Sequence, residues 1–288
     1  MEKWFSEEWS KDIKFSVKIK NHLYSKKTKY QRIDFYDSEE LGRFFTLDGY
    51  MMVNEKDEFI YHEMIIHTPM SVNPQIENVL VIGGGDGGSV RELTRYPKIK
   101  EIDMVEIDPE VVEACKYYLP LTASKLTDPR VSLYFENGAN FVARTLKKYD
   151  LIVVDSTDPE GPGLDLFSIS FYQNCFNLLR EKGILVNQSE NPYFDEEKAI
   201  LQKTFSKLTK VFPLAFIYQA FIPTYASGHW LFGFASKDLH PIKNFQEDIQ
   251  EKYCIETRYY NSKVHVASFA LPNYVSKTIY KDNPFLNK

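Results

Sequence analysis

NVLVIGGGDGG, from Asn78 to Gly88, joins an apolar run typical of a buried parallel strand to a glycine-rich turn. Gly83, Gly85 and Gly88 have the G-x-G-x-x-G spacing of a nucleotide-binding turn, and a helical pattern follows them. The next apolar run ends in Glu106, about twenty residues downstream, where a carboxylate accepts both hydrogen bonds of a ribose diol. The stretch therefore predicts a strand-turn-helix unit that binds a nucleoside.

Strand and helix patterns alternate along the chain after this unit. Apolar strand patterns occupy residues 78–83, 101–107, 131–136, 149–155 and 183–188, and helical patterns between them occupy residues 89–95, 109–118, 138–147 and 169–180. Two more strand patterns, at 215–224 and 229–235, flank a hairpin-like turn and predict an antiparallel edge. This order predicts the α/β fold class, with a doubly wound, mostly parallel, Rossmann-like sheet.

The first part of the chain has a different pattern. Apolar and polar residues alternate in short segments between residues 13 and 54, and Leu47-Asp48-Gly49-Tyr50 is typical of a hairpin turn. A helical pattern over residues 58–67, ending before Pro69, connects this region to the glycine-rich unit. We therefore predict two domains, a small N-terminal antiparallel β domain at residues 1–57 and a Rossmann-like catalytic domain at residues 58–288.

The composition is ordinary for a soluble globular protein, since 43% of the 288 residues are hydrophobic and 26% are charged. The net charge of -5 and the pI near 5.8 lack the basic footprint of a nucleic-acid-binding domain. The acidic N-terminus has no signal-peptide pattern and no apolar run is long enough to span a bilayer, so we expect a cytoplasmic protein. The three cysteines are scattered without metal-binding spacing, and neither a metal nor a disulfide is expected.

Two acids follow the strand pattern that ends at residue 155. Asp155 ends the apolar run, and Asp158 lies in a Pro/Gly-rich segment that ends at Pro162. Ligands of open α/β sheets bind outside the carboxyl ends of the strands, so these carboxylates predict a site for a cationic substrate, with the segment as a lid. The alternative is that Asp155 caps the next helix and that Asp158-Pro159 forms a turn.

Asp86 indicates which nucleoside ligand the glycine-rich turn binds. A dinucleotide pyrophosphate rests on bare backbone amides at a helix N-terminus, and a carboxylate within that turn repels it. A sulfonium or an amine is attracted instead. The residue therefore favours a ligand of the S-adenosylmethionine type over a nicotinamide cofactor, with capping of the following helix as the alternative.

Motifs spread along the whole chain resemble those of the polyamine aminopropyltransferases, the spermidine synthase family. They are Tyr30-Gln31, Leu47-Asp48-Gly49, Asp57 to Met64, Gly83 to Gly88, Val105 to Asp108, Asp155 to Pro162, Ile222 to Tyr225 and Tyr259 to His265. Because they occur in the family's order, the set is far more specific than a single glycine-rich turn. The resemblance implies the fold, activity and site of that family.

The resemblance also implies a role for each matching residue. Asp155 is the implied proton acceptor, with Tyr61 orienting the attacking nitrogen. The residues implied to contact amine groups of the substrates are His62, Asp86, Asp158, Tyr225 and Gln188. Those implied to contact the nucleoside are Gln31, Gly83, Gly85, Glu106, Asn137, Gly138 and Pro162. Outside this motif context, Tyr61 and His62 are typical of the polar face of a bridging helix, and Tyr225 of a turn.

One position departs from the family pattern. Many members have Asp-Gly after the third strand, where this chain has Asn137-Gly138. An Asn carbonyl still accepts a hydrogen bond from the adenine amino group, but it is uncharged. Gln188 and Glu190 fall where acceptor-contacting residues are expected. The residues expected to wall the acceptor pocket are Tyr193, Phe194, Tyr225 and Trp230.

The predicted reaction transfers the aminopropyl group of decarboxylated S-adenosylmethionine, a co-substrate, to putrescine, and it gives spermidine and 5'-methylthioadenosine. No cofactor or metal is required. The alternatives are another acceptor amine, an S-adenosylmethionine-dependent methyltransferase with the same methyltransferase-like sheet, and a non-catalytic polyamine- or nucleoside-binding protein. The expected partners are these small molecules and further copies of the chain, as a homodimer or homotetramer, with neither nucleic acid nor membrane.

Overall fold

The computed structural model describes residues 2–156 and 161–280, except for the side chains of Gly161 and Pro162. Within this part of the chain, a five-stranded antiparallel sheet precedes a seven-stranded, mostly parallel sheet that carries helices on both faces. The predicted fold class is confirmed. The protein is an α/β protein with a doubly wound, Rossmann-like (methyltransferase-like) sheet and a small N-terminal antiparallel sheet.

The N-terminal strands pair in chain order: β1 (Lys3–Ser10), β2 (Ile13–Lys27), β3 (Arg32–Ser38), β4 (Gly42–Leu47) and β5 (Tyr50–Asn54). The predicted hairpin turn is confirmed, since the turn residues Asp48 and Gly49 have φ angles of 50° and 94°. The sequence does not predict β1, because its acidic residues interrupt the apolar alternation. One of them, Glu7, is nevertheless buried, and it accepts a hydrogen bond from the Met51 amide at 2.9 Å.

The central sheet has the strand order β11-β12-β10-β9-β6-β7-β8. Its strands are β6 (Asn78–Gly83), β7 (Glu101–Glu106), β8 (Val131–Phe135), β9 (Tyr149–Asp155), β10 (Leu179–Gln188), β11 (Leu214–Phe221) and β12 (His229–Ser236). The strands from β6 to β10 pair in parallel, whereas β12 pairs antiparallel with both β10 and β11. The antiparallel edge predicted from the sequence is therefore confirmed.

Helices cover the sheet on both faces. They are α1 (Glu58–Val72), α2 (Gly88–Thr94), α3 (Pro109–Tyr118), α4 (Gly138–Arg144), α5 (Ile169–Leu178), α6 (Asp195–Val211), α7 (Ile249–Lys252), α8 (Ser262–Ser268) and α9 (Asn273–Ile279). Val79 and Val81 of β6 lie in the core formed with α1, α2 and α3. Leu80 and Ile82 lie in the core formed with α4, α5 and α6. Burial on both faces explains why this strand is apolar throughout.

Helix α1 does not end before Pro69, as the sequence predicts, but continues through it to Val72. A proline inside a helix cannot donate the backbone hydrogen bond to the preceding turn. Here every side chain from Ile60 to Val72 is buried, and the Pro69 carbonyl still accepts from the Asn73 amide at 2.9 Å. Tertiary packing therefore outweighs the local penalty.

Further boundaries also differ from the prediction, and β11 for example ends at Phe221 instead of residue 224. Helix α4 ends at Arg144, and α5 ends at Leu178 because β10 begins at Leu179 instead of residue 183. Leu179 pairs with Tyr149, and the register then shifts before Ile184. The early start of β10 is thus set by its partner strand, which a local pattern does not show.

Helix α6 is not predicted from the sequence. It has 17 residues, and its buried side chains, Leu201, Thr204, Phe205 and Leu208, recur at helical spacing. Charged residues occupy its other face, as is usual for a surface helix. In the described part of the chain, no helix combines the length and apolar character needed to cross a membrane.

Glu63 ties the C-terminal region to α1. Its carboxylate is buried and accepts the backbone amides of Arg258, Tyr259 and Tyr260 at 2.8, 2.7 and 2.8 Å. His265 is also buried and contacts the Tyr260 hydroxyl at 2.7 Å. The motif from Tyr259 to His265 therefore fixes this segment against the helix that carries Tyr61 and His62.

Candidate active site

The carboxyl ends of β6, β7 and β9 lie side by side, because β6 is between the other two strands. Gly83 at the end of β6 pairs with Asp155 at the end of β9, and the Gly84 amide donates to the Asp155 carbonyl oxygen at 2.7 Å. Glu106 ends β7. Features that the sequence places on three separate strands therefore meet at one edge of the sheet.

The carboxylate of Asp155 is held by two hydroxyl groups. Its Oδ1 accepts from the Tyr61 hydroxyl at 2.7 Å, and its Oδ2 accepts from Ser89 Oγ at 2.6 Å. Burial and the nearby Asp86 carboxylate raise the pKa of Asp155 above its ordinary value. Helix α5 is capped by Ser168, so Asp155 does not cap it. The structure thus joins the two residues predicted to act on the attacking amine.

A buried ion-pair network lies beside Asp155. His62 is 1% exposed, with Nδ1 at 2.5 Å from Glu58 Oε2 and Nε2 at 3.2 Å from Asp86 Oδ1. Arg91 donates twice to Glu58, each time at 2.9 Å. Asp86 also accepts the Gly88 amide at 2.8 Å, so it satisfies the first backbone N–H of α2, although the N-cap position is Gly87. The predicted contact of Asp86 with an amine or sulfonium of the ligand stays a prediction.

The charges in this network shift two pKa values. Burial opposes a charge on the His62 ring, but the carboxylates of Asp86 and Glu58 raise its pKa to about 10. Burial likewise opposes ionisation of Asp86, yet the His62 charge and hydrogen bond lower the pKa of Asp86. At neutral pH, the pair is therefore an imidazolium against a carboxylate.

The side chains of this network pack closely against the glycine-rich turn. A Cβ at Gly88 would lie 2.2 to 2.4 Å from three atoms of the His62 ring. A Cβ at Gly85 would lie 3.1 Å from Glu106 Oε2 and 2.8 Å from Val111 Cγ1. The second and third glycines of the motif are thus required by the side chains that pack on the turn.

The predicted nucleoside contacts Glu106 and Gln31 lie on neighbouring elements. Glu106 is 9% exposed and accepts the Asp108 amide at 2.9 Å. Burial, with a contribution from the Asp108 charge, raises the pKa of Glu106 to about 7. Gln31 Nε2 donates to Asp108 Oδ2 at 3.3 Å, so the N-terminal sheet reaches the end of β7. Gln31 and Glu106 thus meet at Asp108, and their contacts with a nucleoside stay predictions.

Asn137 and Gly138 begin helix α4. Asn137 Oδ1 accepts from the Asn140 amide at 3.1 Å and caps the helix. An amide carbonyl has a second lone pair, so the expected contact with an adenine amino group is still possible. A Cβ at Gly138 would lie 2.4 Å from Ile82 Cγ2, which explains the glycine by packing against β6.

Tyr225 faces the same region from the turn between β11 and β12. Its ring centroid is 6.1 Å from that of Tyr61 and 4.9 Å from that of Trp230, and its hydroxyl donates to the Met52 carbonyl at 2.6 Å. Gln188 ends β10 and is 3% exposed. Tyr193 is 62% exposed, and its expected place in the wall of the acceptor pocket stays a prediction.

Two predicted contacts lie outside what the structure describes. Asp158 is outside the described residues, and for Pro162 no side chain is described. Their roles therefore stay predictions.

A metal ion is geometrically possible beside Asp155, but the chemistry favours an amine. His62, Asp86 and Asp155 each offer one possible ligand atom, and these three atoms lie within 4.8 Å of one another. Both His62 nitrogens face carboxylates that raise the pKa of the ring to about 10, so at neutral pH the protonated ring presents no lone pair to a metal. A protonated amine brings its own donors to the two aspartates.

Several side chains at the site are not predicted from the sequence, notably Ser89, Glu58 and Arg91. A serine after a glycine-rich turn is equally typical of an ordinary helix start. Glu58 and His62 do show a signal, since residues four apart lie on one face of a helix. The local sequence gives no indication of the role of Arg91, because its contact with Glu58 joins two different helices.

The sheet order and the position of the site define the methyltransferase-like class of α/β proteins. Residues 58–247 match the family described as spermine/spermidine synthase domain, and residues 3–55 match the spermidine synthase tetramerisation domain. The polyamine aminopropyltransferases of Clostridium beijerinckii and Clostridioides difficile are both 56% identical to the chain, over 96% and 97% of its length and 97% and 99% of theirs.

Solved structures agree with these sequence matches. A spermidine synthase in complex with the transition state analogue AdoDATO superposes with a TM-score of 0.93 and 40% identity, over 96% of this chain and 94% of that one. The spermidine synthase from Thermotoga maritima superposes with a TM-score of 0.90 and is 39% identical, over 96% of this chain and 93% of that one. The chain therefore belongs to the spermine/spermidine synthase family and is a polyamine aminopropyltransferase. The resemblance seen in the sequence motifs is confirmed.

Proposed function

We propose that this enzyme transfers the aminopropyl group of decarboxylated S-adenosylmethionine to putrescine, which gives spermidine and 5'-methylthioadenosine. The observation that carries the proposal is the Asp155 carboxylate at the end of β9. It is held by Tyr61 and Ser89 beside the Asp86–His62 pair. This arrangement supports a base, Asp155, next to a carboxylate, Asp86, that receives the ammonium of the donor.

The proposed chemistry requires a neutral attacking amine. A primary ammonium has a pKa of about 10, so its lone pair is mostly blocked at neutral pH. An ordinary carboxylate is weaker as a base by about six pKa units, and burial of Asp155 narrows this difference. Asp155 takes the proton, the nitrogen lone pair forms the new N–C bond, and the C–S electron pair returns to sulfur. The sulfonium leaves as a neutral thioether, without a metal or cofactor.

Product analysis tests the reaction. The enzyme is incubated with the donor and a panel of amines, and the nucleoside and amine products are identified. We expect 5'-methylthioadenosine and spermidine. S-adenosylhomocysteine formed from S-adenosylmethionine would point to a methyltransferase, and binding without turnover would point to a binding protein. Membership of the aminopropyltransferase family argues against both alternatives.

We expect the enzyme to discriminate strongly between two forms of the donor. S-adenosylmethionine carries a carboxylate where the decarboxylated form has none, and Asp86 should repel it. Calorimetry should show binding weaker by roughly tenfold or more for S-adenosylmethionine, about 1.4 kcal/mol. Asp86→Asn should reduce this difference. Equal affinity of the wild-type enzyme for both nucleosides would contradict the prediction.

We expect putrescine to be a much better acceptor than spermidine. In this proposal Gln188 and Glu190, which are 3% and 4% exposed, receive the far amine, while Tyr225 and Trp230 pack edge to face beside Tyr61. A longer triamine would place a charge against aromatic surface, which is penalised more than a lost methylene contact. Competition at equal concentrations should favour putrescine by roughly 10²-fold, and Trp230→Ala should weaken the preference. An equal or higher specificity constant for spermidine would overturn this claim.

We also propose that the protein forms a homo-oligomer, a dimer or a tetramer, through its N-terminal sheet. The match of residues 3–55 to a tetramerisation domain supports this. A cytoplasmic location, suggested by the sequence, stays a prediction.

A further inference from the structure

Both ring nitrogens of His62 face carboxylates. Nδ1 lies 2.5 Å from Glu58 and Nε2 lies 3.2 Å from Asp86. An ionised carboxylate offers no proton to either nitrogen, and the two carboxylates together raise the pKa of the ring to about 10, so at neutral pH each nitrogen carries a proton. The ring is therefore an imidazolium in the enzyme without its donor.

The surroundings hold this ring in place. It packs on the backbone of Gly88, and Arg91 fixes Glu58 through two hydrogen bonds of 2.9 Å. The titratable and charged groups around the ring are Glu58 and Tyr61 on α1, Arg91 on α2, Asp86 in the glycine-rich turn and Asp155 on β9. The two cations, His62 and Arg91, thus face the carboxylates of Glu58, Asp86 and Asp155, and Arg91 also pairs with Glu92 at 2.9 Å. A further ammonium bound at Asp86 would lie close to the His62 imidazolium, because both positive charges would pair with the same carboxylate.

We propose that His62 releases a proton when the ammonium of the aminopropyl donor reaches Asp86, and that Glu58 is the positioning residue that holds the ring charged beforehand. This inference rests on the proposed function. In the step, the Nε2–H bond breaks, its electron pair stays on Nε2, and the proton passes to water. The Nδ1–H of His62 still donates to Glu58, and Nε2 then accepts a hydrogen bond from the ammonium of the donor.

The size of the effect follows from the charges. An ammonium about 4 Å from the imidazolium, at a dielectric of about 20, lowers the pKa of the ring by on the order of three. Starting from a pKa of about 10, the ring is charged at pH 8 before the donor binds and mostly neutral afterwards. Donor affinity should therefore rise as the pH increases from about 7 to about 9, because less work is then needed to remove the proton.

Glu106 could release a proton too, since its pKa is about 7 and a ribose diol favours the carboxylate. 5'-Methylthioadenosine separates the two contributions, because it has the ribose but neither the ammonium nor the sulfonium. Calorimetry at pH 8 in two buffers of different ionisation enthalpy counts the protons released by each nucleoside. We expect about one more proton released with the donor than with methylthioadenosine.

Two variants assign this excess to His62. His62→Gln should still bind the donor but lose the excess. Glu58→Gln leaves a neutral neighbour, so the ring should be neutral with its proton on Nε2, and the excess should fall by at least half. Donor binding with no excess in the wild-type enzyme, or with an undiminished excess in both variants, would overturn the inference. Absence of donor binding to the wild-type enzyme would instead refute the proposed function.

Discussion

Asp155→Asn should lower the turnover number by roughly 10²- to 10⁴-fold, the usual contribution of a general base. Asparagine has the same shape and can still contact Tyr61 and Ser89, which hold the carboxylate at 2.7 and 2.6 Å. It cannot accept a proton from the attacking amine. Steady-state kinetics at saturating donor and putrescine measure the effect.

The pH profile provides a second measurement of the same variant. Asp155 must be ionised to act, and burial with the Asp86 charge raises its pKa, so wild-type turnover should fall as the pH drops through that raised value. The variant should lose this acidic limb while keeping its affinity for methylthioadenosine and its unfolding midpoint. Near wild-type turnover in Asp155→Asn would remove the residue from the mechanism.

Gly83→Ala should destabilise the fold by roughly 3–5 kcal/mol. Gly83 has a φ of +83°, which is unfavourable for alanine, and a Cβ there would lie 2.1 Å from the carbonyl oxygen of Asp155. This oxygen belongs to the backbone of a central strand, so it cannot move aside as a flexible side chain would. Urea unfolding followed by circular dichroism measures the loss.

Gly49→Ala is the matched control for this variant. Gly49 has a similar φ of +94°, but a Cβ there would meet no atom of the described residues within 4 Å. Only the backbone strain remains, and the expected cost is about 1–2 kcal/mol. A similar loss of stability in the two variants would show that the contact with β9 is unimportant.

The sequence by itself determines the central unit of the fold and the class of its site. A strand buried on both faces has to be apolar, which makes β6 and β9 visible as continuous runs. Positive φ angles at Gly83, Gly84 and Gly87, of +83°, +69° and +86°, explain why the turn after β6 is rich in glycine. Parallel strands place their carboxyl ends at one edge, so the proximity of Asp155, Asp86 and Glu106 also follows from the pattern.

Other features depend on tertiary contacts and leave little trace in local sequence. Helix α1 passes through Pro69 because its buried surface compensates for a lost hydrogen bond, and β10 begins early because it pairs with β9. The charge on His62 is likewise a tertiary property. It arises because Asp86, on a different element of the chain, adds a second carboxylate to the pair that His62 makes with Glu58, which Arg91 holds in place. Local patterns report burial and backbone conformation, whereas the protonation of a buried ring depends on which charges the fold places around it.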